Sequence, residues 1–454
     1  MADSFDLVVI GAGPGGYIAA IESAKKGMKT ALVEKRELGG TCLNRGCIPT
    51  KTIMHSTDLF AEIKACEQLG IHVDAASYNM EEIQERKDEV IKQLRDGIAM
   101  LMKKNKIAVY SGTGCITSTN EVTVQGEEQT LLSTDKILIA TGSVPAMPPI
   151  PGADLSDVVN SDALLNRKEV YPHLVIIGGG VIGMEFASIY SSLGCQVTVI
   201  EALDRILANM DKEIAQNLKM ILKKRNVEIH TKAKVEEIAE GADKALLCRY
   251  TEKDTLHEVE ADGILVAVGR RANTEGLFGE GIEIATDRGR ILVNENYQTN
   301  IPNIYAIGDV TGGIQLAHVA SAEGINAVAH MVNEKSPINM QAIPGCVYTN
   351  PEIATVGLSR EEAEADGMTV TTHKYAMSAN GKSVLSNQER GFIKVVAEAE
   401  TGKILGAQMM CARATDMISE FGTAITAGMT LEEMGSVIRP HPTFSEGITE
   451  AVNA

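Results

Sequence analysis

Two cysteines sit five positions apart in Gly39-Gly40-Thr41-Cys42-Leu43-Asn44-Arg45-Gly46-Cys47-Ile48-Pro49-Thr50-Lys51. As a structural staple the pair is weak, because closing so short a loop stabilises by only about 2 kcal/mol, against about 4.7 for a 100-residue loop. Zinc is disfavoured, since no second Cys or His pair follows at ligand spacing. Two inert buried thiols remain an alternative, although the surroundings are glycine-rich and polar. Thiol–disulfide exchange fits the local physics better. Pro49 suits the start of a helix, which puts Cys47 at a helix N-terminus, where a thiolate is stabilised. Cys42 then lies just before that helix. Residues five apart in an ideal helix are too distant for a disulfide, so the first turn must be irregular, and Gly46 permits this. Lys51 follows Cys47 by four positions on the same helix face, either beside the thiolate or simply solvated.

The other reactive-looking cluster is Pro440-His441-Pro442-Thr443-Phe444-Ser445-Glu446. The flanking prolines predict an extended backbone at His441, and Ser445-Glu446 reads as a helix start. Glu446 can orient one ring nitrogen and leave the other free as a base. A satisfied structural histidine is the competing reading. A thiol-exchanging protein needs a base to make thiolate from a dithiol, which favours the first. His318, after Asp309, is expected to be structural or to pack against a cofactor. Cys66, Cys115, Cys195, Cys248, Cys346 and Cys411 are scattered and read as small core residues.

The elements that must position these groups show as an internal repeat. Leu7-Val8-Val9-Ile10-Gly11-Ala12-Gly13-Pro14-Gly15-Gly16, running on to Glu34, matches Leu174-Val175-Ile176-Ile177-Gly178-Gly179-Gly180-Val181-Ile182-Gly183, running on to Glu201. Each copy is an apolar run, a G-x-G-x-x-G, a helical pattern and a second apolar run ending in an acid: one strand–helix–strand unit. Such glycines allow a tight turn and close approach of a pyrophosphate to the helix N-terminus. Glu34 and Glu201 suit the 2′-hydroxyl of an adenosine ribose and would repel a 2′-phosphate. A lone glycine-rich turn serves plain packing often enough, but two complete copies point to two dinucleotide sites. Ile137-Leu138-Ile139-Ala140-Thr141-Gly142 echoes Ile264-Leu265-Val266-Ala267-Val268-Gly269, each expected to be a strand closing its sheet.

The prolines between Pro145 and Pro151 read as a stiff linker. Residues 81–104 pattern as a charged amphipathic helix, solvated on one face. A strand is expected near Asn303–Asp309, followed by a helix from Leu316 to about Val332. Beyond Pro344, alternation such as Phe392-Ile393-Lys394-Val395-Val396 mixes with helical segments, as in an α+β domain. The fold class is therefore α/β: two Rossmann-like dinucleotide-binding domains, 1–145 and 146–272, a segment 273–343 completing the first, and an α+β domain over 344–454. The 454 residues, 44% apolar and 22% charged, suit a globular chain of about three domains. A net charge of −18 repels polyanions, so nucleic acid is not an expected partner. No apolar run approaches the ~18–20 residues of a membrane span. Met1–Asp6 has no basic leader region, and a cytoplasmic location is expected, where any disulfide is catalytic or redox-sensing.

Gly39–Pro49, the two fingerprints, Tyr305-Ala306-Ile307-Gly308-Asp309 and His441-Pro442-Thr443 together resemble the pyridine nucleotide-disulfide oxidoreductase family, in order along the whole chain. Gly13–Tyr17, Val347–Glu352 and Ala414–Glu420 resemble its dihydrolipoamide-oxidising branch. The resemblance implies FAD on the first unit, at Gly11, Gly13, Gly16, Glu34, Lys51, Gly114, Thr141, Gly142, Ser143, Asp309, Ala317 and His318. It implies NAD on the second, at Gly178, Gly180, Gly183, Glu185, Glu201, Val235 and Gly269, with Glu185 as the partner of Lys51. It further implies a redox disulfide in which Cys42 exchanges with substrate and Cys47 faces the flavin. The C-terminal domain becomes a dimerisation domain, with His441 and Glu446 acting from the other subunit of a homodimer. The implied reaction oxidises protein-bound dihydrolipoamide to lipoamide and reduces NAD to NADH. The implied partner is a lipoyl-bearing protein of a 2-oxoacid dehydrogenase complex or a glycine cleavage system. The alternatives are a related NAD(P)H-dependent reductase of another small disulfide, or a diaphorase. Arg45, Cys411-Ala412-Arg413 and Ala272 depart from the pattern; Arg45 is expected to shift the thiol potentials or to favour an unusual disulfide.

Overall fold

The computed structural model describes residues 3–241 and 245–454. Leu7, Val8, Val9 and Ile10 are all buried, the mark of a strand covered on both faces of a parallel sheet. The strand Asp3–Ile10 accordingly lies between Thr30–Glu34 and Gln129–Ile139, parallel to both. Ala108–Ser111 extends one side in parallel, and Glu121–Gln125 and Thr113–Ser118 extend the other as an antiparallel ribbon. Ile304–Ala306 pairs in parallel with Ile137–Ile139, so a strand from far along the chain completes this sheet.

The second sheet repeats the plan. His173–Ile177 is central, between Gln196–Glu201 and Gly263–Val266, with Val227–Thr231 and Val158–Asn160 at the edges, all parallel. A three-stranded antiparallel sheet, Ala233–Glu240, Leu246–Glu252 and Thr255–Ala261, covers one face and shares a core of Val175, Ile177, Ile238, Cys248 and Tyr250. Chain entry and exit are side by side, because Ser143–Pro145 pairs antiparallel with Arg270–Ala272. The proline-rich stretch thus begins as half of a two-stranded ribbon.

From Gly345 the chain forms a five-stranded antiparallel sheet, Gly345–Val347, Glu352–Gly357, Ile404–Cys411, Phe392–Glu398 and Val370–Ala376. Ile393, Val395 and Met409 pack against Ile418 and Phe421 of the Ala414–Ala427 helix and Ile448 of the Glu446–Val452 helix. Helices on an antiparallel sheet make this layer α+β.

The helix Met80–Lys104 is capped by Asn79, whose side chain accepts from the Glu81 amide. Its charged face is not fully solvated, against expectation. Lys87 is 2% exposed; it pairs with the adjacent Asp88 at 3.0 Å and donates to the Leu165 carbonyl at 3.3 Å and to Asn166 at 3.1 Å, crossing to the second unit. Periodicity cannot register neutral acceptors that come from a distant loop. Among the described residues no helix is long and apolar enough to cross a membrane.

Candidate active site

Each glycine fingerprint is explained position by position by what a side chain there would meet. Gly11 has φ +103°, and a Cβ on it would stand 2.3 Å from the Ala140 carbonyl oxygen; on Gly16 it would stand 1.8 Å from the Gly11 oxygen. Gly178 has φ +114° and meets the Ala267 oxygen at 2.4 Å, and Gly183 meets the Gly178 oxygen at 2.1 Å. The protein's own packing therefore requires the outer two glycines of each motif. The middle ones differ: a Cβ on Gly13 would meet nothing nearer than Gly40 at 4.0 Å, and on Gly180 nothing within 4 Å. Gly13 and Gly180 are also the N-caps of the Pro14–Lys25 and Val181–Leu193 helices, without side-chain caps. Bare helix N-termini that exclude a side chain for no internal reason suit an approaching pyrophosphate.

The acids follow suit. Glu34 accepts from the Ala12 amide at 2.7 Å and the Arg36 amide at 2.8 Å. Glu201 accepts from the Gly179 amide at 2.5 Å and the Leu203 amide at 2.6 Å. Each carboxylate thus braces its glycine turn while keeping further lone pairs for a ribose. Around the first turn, a cleft is lined by Gly11, Glu34, Gly114, Thr141 and Asn273. Thr141 Oγ1 is buried there with no partner among the described residues. An unsatisfied buried hydroxyl calls for a polar ligand atom, so this cradle fits a bound dinucleotide. Ser143 donates to Asp309 at 2.5 Å, while Arg270 donates to the Ser143 hydroxyl at 2.7 Å and its carbonyl at 2.8 Å. Gly142 and Gly269 both take positive φ with no protein atom within 4 Å of a Cβ. Ala317 opens the Ala317–Met331 helix, and His318 is exposed, with its Nε2 2.8 Å from the Pro344 carbonyl oxygen. The Val235 side chain is 8% exposed and packs in the core of the second unit, so only its backbone can reach a ligand.

The cysteines lie on two helices rather than one. Cys42 lies before the helix that Cys47 opens, as expected, and is itself inside a short helix, Gly40–Arg45. Gly46, at φ −143° and ψ −110°, breaks the helix, and Cys47 opens the Cys47–Ala65 helix. A Cβ on Gly46 would come 3.1 Å from the Thr41 oxygen and 3.3 Å from Cys42 Cα, so the break that brings the cysteines together is tight. The Cys47 thiol is lowered to about 7, first by the hydrogen bond from Cys42 and then, against the effect of burial, by the Lys51 cation. The same bond raises Cys42, with burial adding to the effect.

Lys51 donates to both carboxylate oxygens of Glu185, at 2.8 and 2.7 Å, with side-chain exposures of 29% and 4%. Glu185 belongs to the helix after the second fingerprint, so this pair ties the Cys47–Ala65 helix to the second unit. Removing Lys51 would strand the buried Glu185 carboxylate, a loss that typically costs about 3–5 kcal/mol for a buried charge. Tyr348 was not foreseen as a site residue, although it falls in a family-like stretch. Its amide donates to Glu185 at 3.2 Å, and its ring lies 4.6 Å from Lys51 Nζ. Arg45 is held by carboxylates: its guanidinium pairs with Glu37 at 2.6 Å, and Asp162 lies at 4.0 Å.

His441 Nδ1 lies 2.8 Å from Glu446 Oε1, and Glu446 Oε2 accepts from the Thr443 amide at 2.8 Å. The Thr443 amide, then His441, holds the Glu446 carboxyl below its usual range. The His441–Pro442 peptide is cis. The imidazole is 78% exposed, and Glu446 is its one hydrogen-bonding partner among the described residues. Within one chain it is not brought to the cysteines. Of the other cysteines, Cys195, Cys248 and Cys411 are core residues, whereas Cys66, Cys115 and Cys346 are only half-buried.

Comparison with known proteins agrees with this geometry. Residues 5–324 match the family model described as pyridine nucleotide-disulphide oxidoreductase, and residues 343–452 match its dimerisation domain. A dihydrolipoyl dehydrogenase of Bacillus subtilis (strain 168) is 42% identical over 100% of this chain and 98% of its own length. One from Chlamydia muridarum is 42% identical over 98% and 96%. Among solved structures, LpdA of Mycobacterium tuberculosis superposes with a TM-score of 0.92 at 27% identity over 100% of this chain and 99% of that one. The HOCl-induced flavoprotein disulfide reductase RclA of Escherichia coli does so with a TM-score of 0.88 at 30% identity, covering 99% of each chain. The chain therefore belongs to the pyridine nucleotide-disulfide oxidoreductase family.

Proposed function

We propose that this protein is a homodimeric, FAD-containing dihydrolipoyl dehydrogenase that passes electrons from a protein-bound dihydrolipoamide to NAD. The observation that carries this reading is the junction at Cys47. A thiol lowered to about 7 stands at a helix N-terminus, and one turn on, Lys51 is paired with Glu185 of the second nucleotide unit. Thiol chemistry and two dinucleotide cradles therefore meet in one place. The full-length likeness to proteins named dihydrolipoyl dehydrogenase supports the substrate.

In this reading the first unit spans 1–145 with 273–343, the second 146–272 and the dimerisation domain 344–454. FAD is held at the Gly11–Gly16 turn, Glu34, Gly114, Thr141–Ser143, Asp309 and Ala317–His318; NAD at the Gly178–Gly183 turn, Glu201, the Val235 backbone and Gly269. The partner subunit's His441, steered by Glu446, takes a proton from one substrate thiol. That thiolate attacks Cys42 of the Cys42–Cys47 disulfide, the S–S bond breaks, and Cys47 leaves as a thiolate, the better leaving group because its acidity is raised. The second substrate thiol, deprotonated in turn, displaces Cys42, so the substrate is oxidised by two electrons and the cysteine pair is reduced by two. Bound FAD supplies the route from thiol electrons to a hydride on NAD. Lys51 keeps a cation beside Cys47 throughout, and Glu185 keeps Lys51 in place. The lipoyl-bearing partner and a cytoplasmic location belong to the same proposal.

Turnover of dihydrolipoamide with NAD and with NADP, set against glutathione disulfide with NADH and with NADPH, tests it. Fastest turnover with dihydrolipoamide and NAD is expected. A glutathione rate above it would replace the proposal with a small-disulfide reductase.

A further inference from the structure

The segment between the Leu431–Gly435 and Glu446–Val452 helices carries His441 but has no regular structure of its own. Of residues 436–442 only Arg439 is not exposed, and its neighbour Ile438 is 96% exposed. The Arg439 side chain is 4% exposed and turns inward. Its Nη2 pairs with Glu420 of the Ala414–Ala427 helix. Its Nη1 donates to Thr449 Oγ1 at 2.7 Å and approaches the carbonyls of Val437 at 3.3 Å and Met434 at 3.5 Å. Thr449 lies one turn beyond Glu446 in the same helix, so one planar fork joins the segment to the element that carries the orienter of His441. Its Nε is buried without a partner among the described residues. Leaving one N–H of a buried guanidinium unpaired is unfavourable, and a fork with several donors fixes position better than an ammonium does.

We infer that Arg439 is a positioning residue for His441: through the backbone it sets where the imidazole is presented. The inference rests on the proposed use of His441 as the base toward dithiol. Glu420 and Thr449 are its supports. The role is geometric, since misplacing a reacting group by about 1 Å is enough to slow a reaction about a hundredfold.

The test is a pair of rates on the purified holoenzyme: dihydrolipoamide oxidation by NAD, and NADH oxidation by ferricyanide, which needs no base for thiols. Arg439→Met is expected to lower dithiol kcat by about tenfold to a hundredfold with the ferricyanide rate unchanged, and Arg439→Lys to fall between. Thr449→Val, which leaves the cation and its Glu420 pair in place, is expected to lower the dithiol rate about threefold. A parallel fall of both rates, or an unaltered ratio, overturns the inference; where Arg439→Met does not fold, the ratio for Thr449→Val decides. A wild-type protein that does not oxidise dihydrolipoamide fails the proposed function instead, which the wild-type arm reads separately.

Discussion

The two nucleotide-binding units agree down to single hydrogen bonds. Gly11 N–H reaches the Val33 carbonyl at 2.8 Å and Gly178 N–H the Ile200 carbonyl at 2.9 Å; Ala140 reaches Ile10 at 2.8 Å and Ala267 reaches Ile177 at 2.8 Å. They part company just after the acid. In the first unit the chain returns over the glycine turn so closely that a Cβ on Gly40 would stand 2.5 Å from Gly13 Cα, and the Gly39 amide donates to the Ala12 carbonyl at 2.8 Å. That contact starts the Gly40–Arg45 helix, and so the cysteines, directly beside the turn. In the second unit the same space is filled by Ile206, 2.9 Å from a Cβ on Gly179, and the Leu207 amide donates to the Gly179 carbonyl at 2.9 Å. The helices differ as well. Gly15 lets the Ala317–Met331 helix approach, since a Cβ there would meet the Ala320 oxygen at 2.9 Å, whereas the second unit has half-buried Ile182. One scaffold, duplicated, has kept a redox attachment on one copy and plain packing on the other.

The largest effect that separates the copies is on the thiols. Cys42→Ser or Cys47→Ser should lower dihydrolipoamide turnover by about 10³-fold or more, as loss of a covalent nucleophile does. NADH oxidation by ferricyanide should persist, because the second unit is intact. If dithiol turnover survived in Cys42→Ser, the two units would differ only in packing. Next, His441→Gln should reduce the same dithiol rate by about 10²–10⁴-fold, read in steady state, again with ferricyanide reduction retained.

A third pair of variants probes the shared part of the design. Gly180→Ala should raise the KM for NAD about tenfold, equivalent to about 1.4 kcal/mol, with an unaltered thermal midpoint. Gly183→Ala must displace the Gly178 carbonyl and should lower the thermal midpoint itself. Equal effects of the two on stability would remove the argument that the middle glycine is reserved for a ligand.

The smallest effect is on acidity. The folded state holds Cys47 at about 7, below an ordinary thiol. The thiolate is therefore favoured from about pH 7 upward, and this contribution to stability, complete above the ordinary thiol value, is lost as pH falls through 7. Iodoacetamide modification of the reduced protein should rise through pH 7 and then level off. Lys51→Met should move that midpoint upward, and a midpoint that stayed in place would mean that the cation serves only Glu185.

Much of the architecture was readable because it repeats locally. The strand-turn-helix-strand units recur within about 35 residues, and Gly16 and Gly183 are dictated by the Gly11 and Gly178 carbonyls of their own turns, whereas Gly11 and Gly178 answer to Ala140 and Ala267 on the returning strands. The cysteine spacing and Lys51 were readable for the same reason, since helix geometry places i and i+4 on one face. Lys87, Tyr348, Arg45 and Arg439 were not readable in this way. The neutral acceptors of Lys87 lie 78 and 79 residues away, and Glu185 is 163 residues before Tyr348. The guanidinium of Arg45 could as well have faced the sulfurs as Glu37, and only packing chose.

The order of residues alone thus marked two glycine turns, a close pair of cysteines and a histidine with its carboxylate, because each shows as a short-range pattern of residue types. Tertiary structure alone decided that Lys51 meets Glu185 across two units and that His441 faces outward rather than toward its own cysteines. Those outcomes follow from how separately folded layers pack, and the energies of desolvated ion pairs and buried cations that govern such packing are set by neighbours far away in sequence.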